Sequence, residues 1–103
     1  MKLVPGYRRL KSVLDAAYEQ SAYGKGKERH ANDRPFDKQP IMEITEHVGP
    51  GFPLGQATKK ITEAAGMLRR NEQTAARTEL LGAIVYLCAA LIKLENDNDK
   101  PKV

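Results

Sequence analysis

The run Tyr23-Gly24-Lys25-Gly26-Lys27-Glu28-Arg29-His30, followed four residues later by Arg34, concentrates groups suited to gripping phosphate. Lysine and arginine offer charge-assisted donors to anionic oxygens. Glycines let backbone N–H groups approach a ligand closely. Tyr23 and His30 add rings that could lie against a nucleobase. The expected chemistry is therefore non-covalent binding of a phosphorylated small molecule, a nucleotide above all. Lys25, Lys27, Arg29, His30 and Arg34 are the expected phosphate contacts, and Tyr23 is a stacking partner. The run is neither a Walker A loop nor a GxGxxG fingerprint, because position 29 is Arg and no Ser or Thr follows a Gly-Lys pair. The competing reading is a solvated basic loop. Lys38 extends the positive region towards the start of a second helix, an anion-friendly place, and Phe36 reads as a core anchor.

Acidic chemistry is sparser. Glu43 and Glu46 form an ExxE pair one helical turn apart, a spacing that can share a hard divalent cation but is also common on exposed faces. His47 falls on a different face from Glu43. With two histidines and one cysteine in the chain, a zinc site is not expected. No Ser-His-Asp or Cys-His set can be assembled. No catalytic residue is assigned and no resident cofactor is expected. Cys88 sits in the most apolar run and reads as an inert core residue.

These residues belong to a chain of 103 residues, net charge +4 and pI about 9.3. That length predicts one domain over 1–103. The basic excess is mild, since thirteen acids are interspersed with seventeen bases, so a nucleic-acid footprint is not expected. A lone cysteine permits no internal disulfide and suits a reducing cytoplasm. The N-terminal residues lack a long apolar core of the secretory type. The longest apolar run, Leu80 to Ile92, is 13 residues, short of the ~20 that span a bilayer. The expected location is the cytoplasm, or the host cytoplasm if the protein is viral, without membrane insertion.

Four helices are expected to position the site, and no stretch alternates as a strand does. Leu10, Val13, Leu14, Ala17 and Tyr18 recur at helical spacing over 7–22. Ile41, Ile44 and Val48 mark a short helix over 38–48, with Asp37 as its N-cap and Gly49-Pro50-Gly51 as its stop. Pro53 opens a third helix that ends near Arg70, and Asn71 turns the chain into a fourth over 73–96. A polar tail, 97–103, follows. The short link at Asn71 predicts an antiparallel αα-hairpin, so the fold class is all-α, a small four-helix arrangement built on that hairpin. Apolar side chains ring almost the whole fourth helix. A chain this small cannot easily surround it, so a homo-oligomer is expected through 73–96.

The hairpin sequence, from Ala57-Thr-Lys-Lys-Ile-Thr-Glu-Ala-Ala-Gly-Met-Leu-Arg-Arg into Thr78-Glu-Leu-Leu-Gly-Ala-Ile-Val-Tyr-Leu-Cys-Ala-Ala-Leu-Ile-Lys-Leu-Glu95, resembles the core of all-α nucleotide pyrophosphohydrolases, the MazG and phosphoribosyl-ATP pyrophosphatase group. The similarity covers about 40 of the 103 residues. Members of that group carry an ExxE motif on one helix and an ExxD motif opening the next, whose acids hold Mg²⁺ for triphosphate hydrolysis, and they are typically dimers or tetramers. Here Glu63 falls at the first motif and Glu79 at the second, but Ala64, Met67 and Ala83 occupy neighbouring motif positions. A hydrolase reading would need Glu43, Glu46, Glu63 and Glu79 as magnesium ligands. The resemblance with its acids lost implies instead a non-catalytic binder, of the kind that phage-type anti-defence proteins use to sequester nucleotides. A protein-interaction or inhibitor module is the third reading.

Overall fold

The computed structural model describes residues 4–24 and 34–99. They form four helices, α1 (Arg8–Tyr23), α2 (Pro40–Val48), α3 (Gly51–Arg69) and α4 (Gln73–Asn98), with a 3-10 turn, Phe36–Lys38, before α2. No strand occurs among the described residues. The all-α class read from the sequence is the observed one.

Local chemistry sets the boundaries. α2 begins at Pro40, whose missing N–H costs nothing in a first turn. The expected N-cap, Asp37, lies instead inside the 3-10 turn, and Gln39 takes the cap position. Gly49, at φ +95°, closes α2 in a conformation that disfavours any side chain. Pro50 then nucleates α3 two residues ahead of Pro53, because Pro53 itself fits within a first turn. At the far end Asn71 adopts φ +60°, the left-handed turn that asparagine tolerates. The Glu72 N–H reaches back to the Met67 carbonyl at 2.8 Å, and the hairpin reverses within three residues. α4 continues to Asn98, so the first two residues of the expected tail are helical.

α4 is the hub. It packs along α3 most extensively and also against α1 and α2. The contacts use small residues, and seven of the nine buried apolar residues are alanines. Ala57 and Ala64 of α3 and Ala76, Ala83, Ala89 and Ala90 of α4 are nearly inaccessible, which lets the helix axes approach closely. Met42 is the largest fully buried side chain. Leu81 is buried as well, but many big aliphatic residues lie outside this alanine interior, with Leu10, Leu14, Leu54, Ile61, Leu68, Leu80, Leu87, Leu91 and Leu94 exposed. By length and composition alone, the 26-residue α4 is long and apolar enough to cross a membrane. It nevertheless carries Glu79 and Lys93, each ion-paired to a neighbouring helix.

Candidate functional site

α1 packs on α4, where Gln20 donates to the Thr78 carbonyl at 3.1 Å. Between them opens a cavity of about 610 Å³, within the range that holds a nucleotide-sized ligand. Leu14, Tyr18 and Ala22 form one wall and Ile84, Cys88 and Ile92 the other. Phe36 and Gln39, from the turn before α2, close an end, and Arg34 brings the one cationic side chain of the lining.

Arg34 is positioned by two contacts. The Gln39 side-chain amide donates to the Arg34 carbonyl at 3.0 Å, which folds the segment back over the cavity. The guanidinium lies 3.8 Å from the Glu43 carboxylate, and both groups remain more than half exposed. An exposed pair at that distance is weakly held, so the fork of donors can turn to an incoming anion.

The other residues singled out in the sequence divide clearly. Lys25, Lys27, Arg29 and His30 lie outside the described residues. Tyr23 ends α1 with its ring exposed and edge-on to Tyr18, centroids 6.2 Å apart. It touches the site only through Tyr18, which lines the cavity where Tyr23 does not. Gly24 is required by close approach: a Cβ there would stand 2.8 Å from the Gln20 carbonyl oxygen. Cys88 corrects an expectation. It is an exposed free thiol on the cavity wall. Phe36 is half-buried and serves the cavity, not a central core. Sequence reading missed Tyr18 and Ile92 as lining residues, since an apolar residue at helical spacing carries no mark of whether it meets a neighbour or a void.

Each of the four glutamates considered as magnesium ligands faces a basic side chain. Glu43 has Arg34, and Glu63 has Lys59 at 3.9 Å. Glu79 accepts from Lys60 at 3.3 Å. The Lys60 stem crosses α4 over Gly82, where an added Cβ would stand 3.1 Å from it, and its ammonium lies 5.9 Å from the centre of the Tyr86 ring. Glu46 accepts from Lys93 at 3.0 Å and from Asn96 at 3.1 Å. Among the described residues no three His, Cys, Asp or Glu side chains gather as a metal cage would require. These residues do not fit a magnesium centre.

Lys93 and Tyr86 hold their protons more tightly than usual. Hydrogen bonds to Asp97 and then Glu46 hold the Lys93 ammonium above the usual lysine range. Burial raises the Tyr86 phenol, partly offset by the positive charge of Lys59. Both groups bind their proton more tightly in the folded chain, so both contribute stability below their unfolded pKa that is lost as pH rises. The expected result is a melting temperature insensitive to these groups up to about pH 9.5 and falling above about pH 10. Thermal scans across pH 8 to 11.5 check it, and Tyr86→Phe should make the fall shallower.

Compared with family models, curated proteins and solved structures, the chain gives no significant match.

Proposed function

We propose that this protein is a non-catalytic binder of a phosphorylated small ligand of the nucleotide class. The supporting observation is the combination of an apolar cavity, about 610 Å³ in volume, with a single arginine at its edge. Apolar and aromatic walls, Leu14, Tyr18, Phe36 and Ile92, suit a planar base excluded from water. Arg34 suits the phosphate, which it can meet with two parallel N–H donors. The basic residues at 25, 27 and 29 precede Arg34 in the chain and would add charge. The reading is one of binding because the four glutamates that could hold a metal are engaged by cations. Kinship with the pyrophosphohydrolase group would then be that of a scaffold keeping the hairpin with its glutamates paired to basic side chains. Isothermal titration against linear and cyclic mono-, di- and triphosphate nucleotides tests the proposal. Saturable binding of at least one with micromolar or tighter affinity is expected, with no turnover of the ligand in the presence of Mg²⁺. Silence across the panel with folded protein would overturn the binding role, and magnesium-dependent pyrophosphate release would restore the hydrolase.

A further inference from the structure

We propose that the outer face of the α3–α4 hairpin docks a second copy of this chain, with the two α4 helices antiparallel about Leu87. Leu80, Ile84, Leu87, Leu91 and Leu94 follow one another at intervals of four, three, four and three residues, the seam of a two-stranded coiled coil. Four of its five positions are open in the protomer, with Leu80 40%, Leu87 42%, Leu91 58% and Leu94 52% exposed, while Ile84 is half-buried at the border with the cavity. The seam runs about 21 Å.

α3 adds a parallel stripe. Leu54, Ile61 and Leu68 recur every seven residues and are all exposed. At 100° per residue they fall on one side of Ala57 and Ala64, the residues that touch α4, while Lys60 falls on the other. On α4, Lys60 meets Glu79, Gly82 and Tyr86. Those three fall on one side of Ala83 and Ala90, and Leu80, Leu87 and Leu94 on the other. The two leucine stripes therefore emerge together, as one uncharged face two helices wide.

Spacing and charge both indicate a copy of the same chain. A heptad seam is filled best by a helix of the same spacing, and the face presents no charge for an acidic or basic partner to complement. Orientation follows from the seam's ends. It continues to Arg77 on one side and Asn98 on the other, both exposed. Parallel pairing would set Arg77 against Arg77. Antiparallel pairing sets it near the acidic end of the second copy's helix, where Glu95 stands.

The proposal does not depend on what the cavity binds. Sedimentation equilibrium of the full chain should give the mass of two copies or a multiple. Leu87→Lys should give a monomer that keeps its helical circular dichroism, and Val13→Lys, on α1, should leave the assembly intact. In a Cys88→Ser background, Leu87→Cys should oxidise to a covalent dimer within minutes. Leu94→Cys should not do so alone, but should when mixed with Leu80→Cys. A monomeric wild type, an assembly indifferent to Leu87→Lys, or flotation of the wild type with phosphatidylcholine vesicles would overturn the docking. Equally ready self-crosslinking of Leu94→Cys would overturn the antiparallel arrangement.

Discussion

Replacing Met42 by alanine is expected to destabilise the protein by about 2–5 kcal/mol, the range for emptying a fully enclosed aliphatic site. Met42 is 1% exposed, and it is the largest side chain wholly inside the fold. Its helix, α2, packs on both α3 and α4. Most buried apolar residues among those described are alanines, which have no rotamers with which to fill a void, so little collapse can offset the loss. Against a typical total stability of about 5–15 kcal/mol, the melting temperature should fall by at least about 10 °C. Ile44→Ala on the same helix removes a side chain that is 40% exposed and should cost under about 1 kcal/mol. Paired thermal melts at one protein concentration check both, since assembly would make the midpoint concentration-dependent. Equal effects would mean that Met42 is not the anchor of α2.

The second large effect concerns Arg34. If the cavity holds the ligand, Arg34→Ala should weaken binding by about 10- to 150-fold, the worth of a hydrogen bond to a charged group. Arg34→Lys should fall between, because an ammonium keeps the charge but not the two-donor fork. Glu43→Gln carries the opposite sign. Its carboxylate stands 3.8 Å from the guanidinium, so neutralising it should leave affinity unchanged or improve it a fewfold. The nucleotide that binds the wild type, titrated calorimetrically into each variant, measures all three. Unchanged affinity in Arg34→Ala would place the ligand elsewhere, while leaving the fold undisturbed.

The helices were legible in the sequence because their signals are local. Asn71 and Gly49-Pro50-Gly51 specify turns by backbone chemistry alone, and the structure uses them as turns. Boundaries moved by one or two residues where two prolines or two caps competed, as at Asp37 and Gln39. The site was less legible. Arg34 stood out by charge, but the apolar wall facing it comes from α4, some 50 residues later in the chain. Cys88 shows why. Its neighbours are as hydrophobic as any core sequence, yet the thiol is exposed on the cavity wall, because exposure is decided by packing between elements distant in the chain. The ion pairs Lys60–Glu79 and Lys93–Glu46 were equally hidden, at separations of 19 and 47 residues.

That α1 rests on α4 has a consequence for access. It buries only Ala17 completely and carries Leu10, Val13 and Leu14 exposed. An element held by so little enclosed surface separates from its support at a fraction of the cost of unfolding the whole chain. Since α1 is one wall of the cavity, its brief detachment is a door, and the rate of that opening would set how quickly a guest enters and leaves.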